Sequence, residues 1–126
     1  MIKLTMTLAA LAAALAVPAF AEGDAEKGEK VFKKCKACHA VGEGAKNKVG
    51  PPLNGIVGAA AGQAEGFKYS GALLEAAEGG LVWDEANLAA FFAKPKDFMK
   101  GTKMSFAGLK KEEDQANVIA YLKTFE

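Results

Sequence analysis

The residues best suited to chemistry lie together in one short segment, KCKACHA. Cys35, Cys38 and His39 are the only cysteines and the only histidine of the 126-residue chain, and they form the pattern Cys-X-X-Cys-His. Thiols and imidazole bind transition metals, and thiols also form disulfides and redox-active pairs. The pattern therefore places the chemistry of this chain at residues 35–39.

Four kinds of site use this pattern. A disulfide between Cys35 and Cys38 would close a ring too short to add much stability. A redox-active dithiol is expected at the start of a helix in a βαβ unit, and no strand pattern lies nearby. A structural zinc ion needs four ligands, so a carboxylate or a second chain would have to add one. Attachment of a c-type haem uses all three residues, with two cysteine thioethers and the imidazole of His39 as an iron ligand.

A haem that stays six-coordinate needs a second axial ligand. Beyond residue 21, the chain has two methionines, Met99 and Met104. Methionine is more often a core residue than a ligand, and Met99 follows Phe98 in what reads as a short helical turn. Met104 follows Gly101 in a segment without helical periodicity, as we expect of a ligand on a loop. We therefore predict Met104 as the partner of His39, a pair that gives a high reduction potential.

The first 21 residues have the composition of a secretory signal peptide. Lys3 precedes an apolar run over residues 4–20, and Ala19 and Ala21 supply the small side chains of a cleavage site. We predict cleavage after Ala21, a periplasmic location and a mature domain of residues 22–126. The alternatives are a core helix or an uncleaved anchor, because the run is close to the length that spans a bilayer.

The rest of the chain predicts helices joined by long loops. Asp24 can cap a first helix ending near Cys35 or Lys36, and an apolar stripe predicts a last helix over residues 111–125. Between them lies a glycine-rich region, residues 42–71. Two shorter helices are predicted, one over residues 70–78 and one from an Asp84 cap, with Trp83 and Leu88 as a hydrophobic staple, to just before Pro95.

The chain resembles class I c-type cytochromes, and most closely the bacterial cytochromes c2 of the short type. The resemblance covers nearly all of residues 22–126 in the family's order, through the blocks GDAEKGEKVFKKCKACH, GPPLNGIVG, GQAEGFKYS, LVWDEANLAAFFAKPKDFMKGTKMSFAGLKK and NVIAYLKTF. It implies a small all-α cytochrome c fold. In that fold the N- and C-terminal helices cross, with Gly28 against Tyr121, and shorter helices and glycine-rich loops wrap around one covalent haem c.

The resemblance also assigns the site residues. His39 and Met104 correspond to the axial iron ligands, and the carbonyl of Pro51 to the acceptor of a hydrogen bond from the ligand imidazole. Tyr69 and Trp83 resemble the pair that hydrogen-bonds a haem propionate.

Two positions depart from the family pattern. Ala59 stands where many relatives have an arginine near the buried propionate, and the chain contains no arginine in that segment or elsewhere. Phe91 stands where many relatives have a tyrosine whose hydroxyl points to the methionine sulfur. Both changes remove a hydrogen-bond donor and leave the ligands in place.

The charges are distributed unevenly, although the formal net charge is only +1. Residues 30–48 hold six lysines and one acid, residues 94–111 again six lysines and one acid, and residues 49–93 one lysine and five acids. A solvated surface without a specific role is the simplest interpretation. The functional interpretation is a basic surface around the haem edge that docks weakly on acidic partners. This surface would be formed by Lys33, Lys34, Lys36, Lys48, Lys96, Lys100, Lys103 and Lys110.

The favoured function is a one-electron carrier and not an enzyme. The resemblance implies a monomer that takes electrons from a bc1-type complex and gives them to a photosynthetic reaction centre or a cytochrome oxidase. Nucleic-acid binding and membrane insertion of the mature chain are not expected. The alternatives are a haem peroxidase or gas-binding protein, which needs an open iron position, and a dedicated electron-transfer subunit of a dehydrogenase.

Overall fold

The computed structural model describes residues 22–126, so the predicted signal peptide and its cleavage after Ala21 lie outside the described residues. Within residues 22–126 the chain forms five helices and no sheet, and a single bridge joins Ala60 to Val82. The all-α prediction is confirmed. The helices are α1 (Ala25–Phe32), α2 (Gly71–Glu78), α3 (Glu85–Ala93), α4 (Pro95–Phe98) and α5 (Glu112–Lys123).

Helix α1 begins where the sequence predicts and ends earlier. The side chain of Asp24 caps it by accepting a hydrogen bond from the Lys27 amide at 3.1 Å. The prediction that it reaches Cys35 was wrong, because the regular helix stops at Phe32 and a series of turns follows. Phe32 is the last fully buried residue of this segment, and the lysines after it are exposed. Cys35 is only half-buried against the same cluster as Phe32.

The two terminal helices cross in close contact. A β-carbon on Gly28 would lie 2.8 Å from the β-carbon of Tyr121 and 2.6 Å from the carbonyl carbon of Asn117. The predicted contact between Gly28 and Tyr121 is therefore confirmed. The rings of Phe32 and Tyr121 pack at 5.4 Å, and the amide of Asp24 donates to Oδ1 of Asn117 at 2.8 Å. The start of α1 is thus attached to the middle of α5.

The two middle helices begin close to where the sequence predicts, and the predicted Asp84 cap is confirmed. Ser70 caps α2, and Oδ1 of Asp84 accepts from the Asn87 amide at 2.8 Å at the start of α3. Trp83 and Leu88 are both buried in one core cluster, as the predicted staple requires.

The core consists of two clusters that share α5. One surrounds Trp83, Phe91 and Met99, and the other surrounds Phe32 and Leu109. On the predicted stripe of α5, three residues are buried (Val118, Ile119 and Leu122), while Tyr121 and Phe125 are half-buried. No helix of residues 22–126 has the length and apolar character needed to cross a membrane.

Candidate haem site

The Cys-X-X-Cys-His segment lies in the turns that follow α1. The amide of His39 donates to the carbonyl of Cys35 at 2.9 Å, and the amide of Cys38 to the same carbonyl at 3.1 Å. Both cysteines are half-buried, and their sulfurs are not joined in a disulfide. Burial, and to a lesser extent the neighbouring Cys38, raises the pKa of the Cys35 thiol. The two sulfurs are thus available as thiols on one tightly wound turn.

The imidazole of His39 is fixed by one short hydrogen bond. Its Nδ1 lies 2.7 Å from the carbonyl oxygen of Pro51, which can only accept, so Nδ1 carries the proton. Burial lowers the pKa of His39, although the hydrogen bond to Pro51 opposes this shift, and the charge of Lys48 lowers the pKa further. The ring is therefore neutral, and Nε2 is the nitrogen that keeps a lone pair for a metal.

Gly50 supports the same imidazole, and the sequence reasoning missed it. A β-carbon at this position would lie 2.7 Å from Nδ1 and 2.8 Å from Nε2 of His39, so any side chain would displace the ring. The amide of Gly50 also donates to the carbonyl of Cys38 at 2.8 Å. In the sequence, only its place directly before Pro51 sets Gly50 apart from other loop glycines, and this does not reveal the contact with His39.

The two candidate methionines have different surroundings. Met99 is 5% exposed and belongs to the core cluster. Met104 is half-buried in the coil between α4 and α5, and it packs against the edge of the same cluster. A loop position with a partly accessible thioether suits a ligand, and the position of Met99 suits a core residue.

Tyr69 and Trp83 pack with different partners. The hydroxyl oxygen of Tyr69 accepts from the Ala64 amide at 2.7 Å, which leaves the hydroxyl proton for an acceptor. Its ring meets Phe67 edge-on at 4.8 Å, whereas the ring of Trp83 packs against Phe91 at 5.0 Å. Trp83 is 5% exposed. Tyr69 thus retains a proton to donate.

The two residues that depart from the family pattern, Ala59 and Phe91, both lie next to Trp83. Ala59 lies beside Trp83, since its carbonyl accepts from the Trp83 amide at 2.7 Å. Phe91 is 8% exposed between the rings of Trp83 and Phe98, in the cluster against which Met104 packs. Neither side chain brings a donor to this region.

The lysines of the predicted docking surface are all exposed. Only one of them, Lys48, has a hydrogen bond from its ammonium group within residues 22–126, to the carbonyl of Lys36 at 2.8 Å. The remaining seven project into solvent, and they flank the segments that carry His39 and Met104. They are Lys33, Lys34, Lys36, Lys96, Lys100, Lys103 and Lys110.

The donor set fits a haem better than a bare metal ion. Across residues 22–126, no three His, Cys, Asp or Glu side chains come together in a way that could hold a metal ion, so the zinc alternative lacks its ligands. A covalent haem needs two thiols, an imidazole and a thioether. The site offers the thiols of Cys35 and Cys38, a neutral His39 whose Nδ1 is already hydrogen-bonded, and the thioether of Met104 on a loop.

Comparison with known proteins agrees with this chemistry. The cytochrome c family profile matches residues 25–126. A cytochrome c2 of Agrobacterium tumefaciens is 54% identical over 80% of this chain and 91% of its own length. A cytochrome c-550 of Ancylobacter novellus is 58% identical over 79% of this chain and 92% of its own.

The fold is also shared with solved structures. Cytochrome c2 of Rhodospirillum centenum superposes with a TM-score of 0.78 at 44% identity, over 82% of this chain and 98% of that one. Cytochrome cH of Methylobacterium extorquens gives a TM-score of 0.74 at 48% identity, over 81% of this chain and 99% of that one. The chain therefore belongs to the cytochrome c family, as a class I cytochrome close to the cytochromes c2, and is an electron carrier with one covalently bound haem c rather than an enzyme.

Proposed function

We propose that this protein is a periplasmic shuttle that carries single electrons from a bc1-type complex to a photosynthetic reaction centre or a terminal oxidase. In this proposal Cys35 and Cys38 would hold the haem as thioethers, and His39 and Met104 would ligate its iron. The observation that supports the haem-ligand part of the proposal is the 2.7 Å hydrogen bond between Nδ1 of His39 and the carbonyl of Pro51. It presets the tautomer in which only Nε2 can bind a metal.

The chemistry that a bound haem supplies is the one-electron Fe(II)/Fe(III) couple. The protein's part is to hold a ligand geometry that is the same in both redox states. Pro51 and Gly50 fix the imidazole from two sides, and the turn through Cys35 fixes its backbone. A ligand set that does not rearrange lowers the barrier to electron exchange.

Met104 sets the redox range in this proposal. A thioether is a soft, neutral donor that favours ferrous over ferric iron, so the reduction potential is high. It also closes the iron to peroxide and gases, which separates a carrier from a peroxidase or a gas-binding protein. The chain has no second histidine to act as a distal acid or base.

Tyr69 and Trp83 complete the site as donors to a haem propionate. The hydroxyl of Tyr69 already accepts from Ala64 and keeps its proton to donate, and the indole N–H of Trp83 can act only as a donor. A buried propionate without an arginine partner depends on such neutral donors.

The ligand assignment is tested by absorption spectroscopy of the oxidised holoprotein. Sulfur bound to ferric haem iron gives a weak far-red band, which we expect in the wild type and not in Met104→Ala. Met104→Ala should also lower the reduction potential and open the iron to small ligands. Met99→Leu is the matched control, because Met99 is a core residue. If the band were lost in Met99→Leu and kept in Met104→Ala, Met99 would be the iron ligand and Met104 would not.

The docking proposal is tested by electron-transfer kinetics with purified bc1 complex and cytochrome oxidase at increasing ionic strength. Lys103→Glu should slow association at low salt, because the lysine is exposed beside Met104. Lys68→Glu makes the same charge change at an exposed lysine in the acid-rich segment 49–93, and it should have a smaller effect. Equal effects of the two substitutions would mean that only net charge matters and that no docking surface exists.

A further inference from the structure

The coil that carries Met104 has few hydrogen bonds of its own. At its start, the Thr102 amide donates to the carbonyl of Met99 at 3.2 Å. In the middle, the Met104 amide donates to Oγ1 of Thr102, also at 3.2 Å. Both bonds are long and local. They hold the first turn of the coil and do not attach Met104 to the helices around it.

The far end of the coil is attached firmly, at Leu109. The Leu109 amide donates to the carbonyl of Phe92 in α3 at 2.6 Å, and its side chain is 3% exposed in the core. Gly108 lies so close to the Ala93 backbone that a β-carbon would be 3.0 Å from the carbonyl carbon of Ala93. The coil therefore has a fixed end five residues beyond Met104.

Gln115 supplies the other half of this attachment. Its Nε2 donates to the carbonyl of Leu109 at 2.7 Å across a buried contact, and the residue is only 7% exposed. Both backbone groups of Leu109 are thus bonded, one to α3 and one to α5. Burying an amide costs free energy unless its hydrogen bonds are made. If Gln115 moved away, its own side-chain amide and the Leu109 carbonyl would both lose their hydrogen bond.

We propose that Gln115 is a positioning residue for Met104. Through Leu109 it fixes the end of the coil and so limits how far Met104 can move away from the iron. This inference rests on the proposed ligand role of Met104. It adds a residue on α5, eleven positions further along the chain, that controls how firmly the sixth position of the iron is closed.

Asn117 is a matched comparison, because it has a purely structural connection. It is a buried polar residue on the same helix, 5% exposed, and its Oδ1 accepts from the amide of Asp24 at 2.8 Å. This bond joins α5 to α1 and does not reach the coil. Loss of either side chain should destabilise the fold, and only loss of Gln115 should loosen Met104.

The experiment is a titration of the oxidised holoprotein with imidazole, which must displace Met104 to bind the iron. Gln115→Met keeps the length of the side chain and removes the donor. We expect it to bind imidazole about tenfold more tightly than the wild type, because release of Met104 lets the coil loosen and water pair with the Leu109 carbonyl that this variant otherwise leaves unpaired. Asn117→Ala should lower the thermal midpoint and leave imidazole affinity unchanged. Gln115→Leu, which also removes the donor, is the second variant if Gln115→Met fails to fold.

A second measurement reads the coil directly. The amide of Leu109, bonded to Phe92, should exchange its hydrogen faster in Gln115→Met than in Asn117→Ala at matched stability. The proposal is overturned if a folded Gln115 variant has the imidazole affinity of the wild type and the Leu109 amide exchanges at the wild-type rate. That result would leave the ligand assignment intact. Absence of the far-red band in the wild type would instead overturn the ligand role of Met104.

Discussion

Substitution of Gly28 by alanine is a stringent test of the helix crossing. In an open helix this change is stabilising by about 1 kcal/mol, because alanine has the higher helix propensity. Here the new β-carbon would lie 2.6 Å from the carbonyl carbon of Asn117 and 2.8 Å from Cβ of Tyr121. Ordinary contacts begin near 3.4 Å, so α1 must move away from α5.

The magnitude follows from which atoms collide. Overpacking costs about 1–3 kcal/mol, and backbone atoms of a helix cannot move aside as a flexible side chain can, so the upper end applies. Subtracting the gain in propensity leaves a net loss of about 2 kcal/mol in the free energy of unfolding. For a domain of this size, the thermal midpoint should fall by about 10 °C. Separation of the helices also strains the hydrogen bond between Asp24 and Asn117.

The assay is thermal and denaturant unfolding of the haem-loaded protein. Gly71→Ala is the control, because Gly71 begins α2 and its β-carbon would meet nothing within 4 Å. That change should leave the protein as stable as the wild type or raise its stability by up to about 1 kcal/mol. The steric argument is refuted if Gly28→Ala unfolds at the wild-type midpoint or above it.

Three further predictions concern the haem site and its loops. Gly50→Ala should displace the imidazole of His39, and so shift the reduction potential and weaken the far-red band; wild-type values for both would show that the ring tolerates the side chain. Asn54→Ala should lower the free energy of unfolding by about 1 kcal/mol, since the Asn54 side chain donates to the Gly42 carbonyl at 2.8 Å and accepts from the Gly42 amide at 2.7 Å. An unchanged midpoint in denaturant unfolding would contradict this. The polypeptide without haem should be largely unfolded, because five short helices and long loops leave the haem to complete the core; a native-like circular dichroism spectrum with a sharp thermal transition would contradict this.

The sequence alone predicted where the helices begin and placed the two cysteines and the histidine of the candidate site, for local reasons. Asp24, Ser70 and Asp84 cap their helices because a short polar side chain bonds the first free amides, which depends only on neighbours in the chain. The Cys-X-X-Cys-His pattern is equally local. The resemblance to the cytochromes c added residues that spacing could not supply, such as Pro51 and the pairing of Gly28 with Tyr121.

Contacts between distant segments were decided only by the tertiary structure. Helix α1 ends at Phe32, and the local sequence pattern carries no signal for this end. Gly50 and Gln115 read as an ordinary loop glycine and an ordinary helix residue in the sequence. Their roles arise because folding brings Gly50 onto the imidazole of His39 and the Gln115 amide onto a buried carbonyl. Such contacts depend on packing across the molecule, which the sequence of either segment alone does not specify.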